Sequence, residues 1–382
     1  MRLSQPSRRH LPWVLACGGL LWLGCSDDAA QATDGSGNGG VGAGNSTGPG
    51  SGGGSTVPPL VDQIEGVSVA TIAGSADPGD SDTPPGSFNN PANLTVDEDG
   101  TVIIADFDNG MIRTLAADGT PGTLTSQTGF RRPFGLALTD DGKIVAQTDW
   151  TATGDNGGAT GGVLWLVDRT TGAAEVLAPD VGRPRGLTRV DASRLVVSDV
   201  ERHDVRLFDL STSAMTALAG KTGEKGYVDG VGEAARFDRP YGSVRLPSGD
   251  VAIADQGNHV IRLVSLDGTV STLAGTGTAG MVDGPAADAR FDRPQDLAVD
   301  AAGNIYVSDI GNHRIRRISA DGKVQTVAGD GTAGFRDGSG SEAQFFGQEG
   351  IDLSPDGRTL YVADGTNGEV EPYHRIRAVA LP

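Results

Sequence analysis

Two stretches of this chain are near copies of each other, and that self-similarity restricts the fold more than any other feature. FDRPYGSVRLPSGDVAIADQGNHVIRLVSLDGTVSTLAG begins at Phe237, and FDRPQDLAVDAAGNIYVSDIGNHRIRRISADGKVQTVAG begins at Phe291. Anchoring on the aspartate that ends the second apolar run extends the series to Asp106, Asp149, Asp199, Asp255, Asp309 and Asp364, spaced by 43, 50, 56, 54 and 55 residues. A chain that repeats at such intervals builds one supersecondary unit several times and buries apolar surface between the copies. Within a unit, runs such as Asn304-Ile305-Tyr306-Val307-Ser308-Asp309 alternate with period two and are parted by turns such as Asp321-Gly322. No helical periodicity competes with them, so each unit is predicted to be a four-stranded antiparallel sheet and the fold class all-β.

The ends of the chain predict how the units join. The last unit has apolar runs at residues 350–353, 359–363 and 375–379, and no fourth run follows before Pro382. Val67-Ser68-Val69-Ala70-Thr71-Ile72-Ala73-Gly74 has no unit of its own and matches residues 270–275 and 324–329, which are fourth strands. The expected architecture is therefore a six-bladed β-propeller over residues 60–382, closed by an N-terminal strand that completes the last blade. Such a closure leaves no free sheet edge between the first and last blades.

The core D-x-G-N-H-x-I-R, at residues 255–262 and 309–316, resembles the NHL repeat. The resemblance covers six units, fading at residues 199–206, where Arg202 replaces the Asn, and in the second unit, where residues 151–162 insert a Gly-rich loop. It implies a propeller and leaves the activity open, because NHL propellers include RNA binders, protein-interaction modules, kinase sensor domains and a few enzymes. Between blades the pattern G-x-x-D-G-x(4 or 5)-A-x-F recurs at residues 226–237, 280–291 and 334–345. Its Asp-Gly pairs (Asp229, Asp283, Asp337) read as turns and its Phe as a wedge between sheets.

The first 25 residues, MRLSQPSRRHLPWVLACGGLLWLGC, carry a basic start and an apolar stretch from Leu11 to Leu23, the layout of a secretory signal peptide over residues 1–24. Gly24-Cys25 followed by Ser26-Asp27-Asp28 resembles the lipobox of bacterial lipoproteins, which implies lipid attachment at Cys25 and a membrane anchor. Cleavage before Cys17 instead would leave an apolar core too short for a leader. Residues 25–59 are Gly- and Ser-rich without an aromatic residue, and read as a flexible tether with a reach of about 30 to 35 Å. The expected location is the bacterial cell envelope, periplasmic or at the cell surface. Loss of Arg2, Arg8 and Arg9 with the leader takes the net charge from -19 to -22, which speaks against nucleic acid as a partner. With both cysteines, Cys17 and Cys25, in the leader region, the propeller has no disulfide or thiolate metal site.

His203, His259, His313 and His374 occupy one equivalent position in successive repeats, too far apart to share a metal, and read as structural turn residues. The positions after the proline that opens each first strand are more informative, because innermost strands run beside the central channel. They supply the candidate ligand-binding residues of the channel mouth: Asn93, Phe134, Arg185, Tyr241, Gln295, Asp296 and Glu349. Propeller lyases of the peptide-amidating type place histidines here, and this chain has none. Gluconolactonase-like propellers use a Glu, an Asn and an Asp around a divalent cation, and the resemblance implies Glu349, Asn93 and Asp296 as oxygen ligands for Ca²⁺. No catalytic triad, P-loop or cysteine pair appears. The expected function is a non-enzymatic, lipid-anchored envelope propeller, a monomer, that binds a protein, peptide or glycan. The alternative is a Ca²⁺-assisted lactonase or lyase acting at the channel mouth.

Overall fold

A computed structural model describes residues 62–365 and 373–382; the leader, Cys25 and the Gly-rich tether lie outside them. The period-two runs form strands, and blade 5 shows the pattern. Pro294–Val299, Ile305–Asp309, Arg314–Ile318 and Lys323–Ala328 lie antiparallel in chain order from the axis outwards. The Ser319 to Gly322 turn closes through a 2.8 Å hydrogen bond, with Gly322 at φ 84°, where a side chain would be strained. Proline opens the first strand of five blades, on the channel edge where no ladder partner needs its missing N–H.

Six such sheets stand around one axis. The first strands, Pro91–Val96, Pro133–Leu138, Pro184–Arg189, Pro240–Arg245, Pro294–Val299 and Gly347–Leu353, each pack against those of both neighbours, the sixth against the first. The six-bladed propeller of the sequence reading is the fold. Closure also follows it: Ser68–Ser75 pairs antiparallel with His374–Ala380, Val69 opposite Val379, and completes blade 6. A second clasp precedes this strand. Ile64 N–H donates to Thr326 O at 2.9 Å and Thr326 N–H to Asp62 O at 3.2 Å, so residues 62–64 lie along the outer edge of blade 5.

Apolar side chains fill the space between blades, where the wedge residues Phe88, Phe130, Phe237, Phe291 and Phe345 are wholly buried. Each contributes on the order of 2 to 3 kcal/mol by leaving water. Four of these wedges face a fully buried arginine of the third strand: Arg113 over Phe88, Arg262 over Phe237, Arg316 over Phe291 and Arg377 over Phe345, at 5.0 to 5.3 Å. Two carboxylates pair with each guanidinium. Arg262, for example, meets Asp255 at 2.8 Å and Asp229 at 2.6 Å, and Arg377 meets Asp364 and Asp337, both at 2.8 Å.

The inter-blade loops therefore do more than the sequence reading assigned them. Their Asp-Gly pairs are not simple turns: the Asp is a counter-ion to the buried arginine, itself buried at Asp283 and about half exposed at Asp229 and Asp337, and the next residues form short fifth strands, Gly230–Val231, Gly284–Pro285 and Gly338–Ser339, on blades 4, 5 and 6. The histidines are clips between blades. Nδ1 of His203, His259 and His374 accepts the backbone N–H of Arg239, Arg293 and Asn90 at 3.0, 3.1 and 2.9 Å. His203, His259 and His313 hold left-handed backbone in a turn, whereas His374 opens a strand.

Candidate functional site at the channel mouth

The innermost strands enclose a cavity of about 300 Å³ on the axis, lined by Asn93, Arg185 and Asp296 among the predicted mouth residues. Phe134, Tyr241, Gln295 and Glu349 stand outside that lining, on the same strand starts. The seven candidates therefore split into channel residues and a rim.

Arg185 is fixed by blade 2. Its Nη1 and Nη2 donate to the two oxygens of Asp149 at 2.6 and 3.0 Å, and its guanidinium lies 4.5 Å from the Phe134 ring centroid. Burial by itself would raise Asp149, but the Arg185 charge overrides it and holds the carboxyl below its ordinary range. Arg185 in turn is held well above its usual value: burial opposes its charge, and Asp149 and Tyr241 outweigh burial. Burial pushes the half-buried Tyr241 up to about 12, with Glu349 adding to the rise and Arg185 opposing it.

Aromatic rings cover one side of the rim. Phe134 meets Phe107 and Tyr241 edge-on at 6.3 and 5.6 Å, and Arg132 stacks on Phe107 and Trp150 at 5.3 and 5.9 Å. The other side is polar: Gln256 donates to Gln295 at 3.1 Å, and Glu349 follows in the next blade. The sequence reading missed Phe107, Trp150 and Gln256. They occupy one repeat position, directly after Asp106, Asp149 and Asp255, and that shared position was the available signal.

Asn93 and Asp296 hold the place that glycine takes in the other four blades, as Gly135, Gly186, Gly242 and Gly350. Glycine is needed in the blades beside these two side chains, because a Cβ on Gly350 would lie 2.6 Å from Asn93 Oδ1 and one on Gly242 would lie 2.1 Å from Asp296 Oδ1. Asp296 Oδ2 also accepts the Ile351 N–H at 2.9 Å. Both side chains thus reach the Gly350–Ile351 peptide, next in sequence to Glu349. Burial pushes Asp296 up to about 8; the Ile351 and Leu297 N–H groups oppose the rise and Asp352 adds to it. Arginine pairs with Asp149 but not with Asp296 in any ion pair among the described residues.

A family model described as the SMP-30/gluconolactonase/LRE-like region matches residues 186–376, half of the chain. The chain belongs to that family. It is an NHL-type propeller within it: an NHL repeat-containing protein 2 from Bos taurus is 33% identical over 160 residues, covering 38% of this chain and 22% of that protein. The chain spans 13% to 47% of the length of the curated relatives it matches. Among solved structures, an auxiliary nutrient binding protein from Bacteroides thetaiotaomicron superposes with TM-score 0.64 at 19% identity, covering 82% of this chain and 76% of that one. A gluconolactonase from Xanthomonas campestris superposes with TM-score 0.55 at 13% identity, covering 86% and 96%. At those identities the superpositions establish the propeller fold.

The family brings a metal into question, and the donor set can be tested against the chemistry of Ca²⁺. Asp, Asn and Glu oxygens suit a hard cation. Asp296 is a buried carboxyl without an arginine counter-charge, and a cation supplies what burial denies it. The residue types and the buried acid therefore fit, although among the described residues no three His, Cys, Asp or Glu side chains cluster as a metal site.

Proposed function

We propose that this propeller is a binding protein of the bacterial envelope, tethered through lipid on Cys25, that takes a peptide or glycan at its channel mouth. The observation that carries the reading is the two-sided rim. Phe107, Trp150 and Tyr241 present partly exposed rings around the buried Phe134, and the polar side places the buried Gln295 amide, held by Gln256, beside the start of the Glu349 strand. An apolar platform opposite a few fixed polar groups is how sites recognise ligands that carry both CH surfaces and hydroxyls or amides. The channel beneath the rim is also pre-organised: Arg185 is locked by Asp149, so little side-chain freedom is lost when a ligand arrives. Likeness to a nutrient binding protein supports the same reading.

The test is capture from glycan and peptide arrays by the soluble domain, with Tyr241→Ala in parallel. The wild type should retain a ligand class that the variant binds about tenfold more weakly. Equal capture by both proteins would remove the rim from the binding site.

A second reading rests on Asn93, Asp296 and Glu349. These residues would hold Ca²⁺, and such an ion polarises a lactone carbonyl when bound. In that case Arg185 and Tyr241 would orient the substrate and the aromatic side of the rim would exclude water from it. Calorimetric titration with Ca²⁺ and a gluconolactone hydrolysis assay distinguish the two. Ca²⁺ binding with turnover favours the lactonase, and neither signal favours the binding protein.

A further inference from the structure

We propose that Asn156, in the Gly-rich loop inserted into blade 2, is a self-modifying site: its side-chain nitrogen is lost as ammonia and the residue ends as aspartate or isoaspartate beside the channel mouth. Attack by the following backbone nitrogen on an asparagine amide carbon is favoured by a next residue without a side chain, by a backbone N–H that no hydrogen bond holds, and by an amide free to leave.

Two Asn-Gly pairs lie among the described residues, and they differ in what holds them. At Asn109-Gly110 both reacting groups are tied. The Gly110 N–H donates to Phe107 O at 3.2 Å, and Asn109 Nδ2 donates to Gly79 O at 2.7 Å and to Asp106 Oδ2 at 2.8 Å. Gly110 and Asp106 are both buried, so water cannot replace those bonds if the amide turns. At Asn156-Gly157 neither group is held. Asn156 is exposed, its Nδ2 has no hydrogen-bond partner among the described residues, and neither has the Gly157 N–H. Only Oδ1 is engaged: it accepts the Gly158 N–H at 3.0 Å, which polarises the amide carbon and leaves the nitrogen free. The loop also keeps its glycine. A Cβ on Gly157 would lie 2.4 Å from Gly161 Cα, so the neck of the loop closes only without a side chain at this position.

The reaction balances with water alone. Gly157 N bonds to Asn156 Cγ, the Cγ–Nδ2 bond breaks, and the nitrogen leaves as ammonia with the proton that Gly157 N gives up. Water then opens the succinimide ring. Opening at the side-chain carbonyl gives aspartate; opening at the main-chain carbonyl gives isoaspartate, whose chain runs through Cβ and Cγ and is one atom longer. Nothing is oxidised or reduced.

The place of the loop decides what the change does. It starts directly after Trp150 and leans on the segment that leads to Arg131 and Arg132: a Cβ on Gly129 would lie 2.3 Å from Ala152 O, and one on Gly154 would lie 3.4 Å from Gly129 Cα. Arg132 in turn lies over Trp150 at 5.9 Å. Conversion therefore adds a negative charge next to Asp155, on the aromatic side of the rim, and the charge stays in water because Asn156 is exposed.

The test incubates the full propeller for several weeks at physiological temperature in mildly alkaline, heavy-oxygen water, followed by peptide mass mapping. The peptide holding residue 156 should exchange its NH2 for OH, carry heavy oxygen, and contain isoaspartate. Asn109 should convert at least about tenfold more slowly in the folded protein, and at a similar rate in urea, where its hydrogen bonds are gone. Asn156→Gln, whose longer side chain disfavours the ring closure, should keep its amide and an unchanged Tm. Retention of the Asn156 amide under conditions that convert the urea-unfolded chain would overturn the proposal. So would equal rates at Asn109 and Asn156 in the folded protein, which would remove the hydrogen bonds as the cause, or conversion without isoaspartate, which would remove the succinimide route.

Discussion

Arg316→Met tests whether the buried arginines hold the blades together by charge. The side chain keeps comparable length and loses its guanidinium. Removal strips the hydrogen bonds to Asp309 (2.8 Å), to Asp283 (3.0 Å from Nε), and to the carbonyls of Arg290 and Val282 (3.1 and 2.9 Å). Asp309 and Asp283 have no side-chain exposure, so water cannot replace the lost cation. Breaking a buried pair and leaving its partner unpaired costs about 3 to 5 kcal/mol. In a domain of this size that corresponds to a Tm lower by about 6 to 10 °C.

The loss should also depend on pH. Burial pushes Asp309 up to about 6 even with Arg316 opposing the rise, and without the guanidinium it must go higher. An acid that holds its proton more tightly folded than unfolded adds stability as pH falls through its folded pKa. The deficit of the variant should therefore be larger at pH 8 than at pH 5. Urea unfolding followed by tryptophan fluorescence at the two pH values measures it. A loss below about 1 kcal/mol, or one equal at both pH values, would refute the claim that the carboxylates depend on Arg316 for their charge.

Phe291→Ala empties a fully buried wedge and removes the ring under Arg316, and should cost about 3 to 5 kcal/mol in the same urea assay. Val69→Asp places a carboxylate opposite Val379 in the closing strand; hydrogen exchange should show lost protection in His374–Ala380 before the other blades. Arg185→Ala leaves Asp149 unpaired and should lower stability by about 3 kcal/mol or more, so rim function is better probed at Tyr241.

Much of the architecture was legible because strand alternation and repeat spacing are local properties that each unit displays independently. Even closure could be read, since Val67 to Gly74 carries the pattern of a fourth strand without a unit to belong to. The mouth was legible only in part. Its seven residues were marked by their place after the opening proline, yet Asn93, Arg185 and Asp296 enter the channel while Phe134, Tyr241, Gln295 and Glu349 form the rim. A β-bulge at the start of each first strand breaks the simple alternation, so sequence position alone does not say which way these side chains turn.

The sequence by itself determined the number of blades, their strand order and the strand that shuts the ring, because hydrophobic period and turn chemistry act over a few residues. Only the tertiary structure decided which charges meet. Arg185 finds Asp149, 36 residues away in the neighbouring blade, and Arg262 finds Asp229, 33 residues away in a loop that reads as a turn. Those pairings depend on how the ring's curvature brings one blade against the next, and Arg206, in the blade with Val181 at the wedge position, takes both of its carboxylates, Asp199 and Asp204, from its own blade.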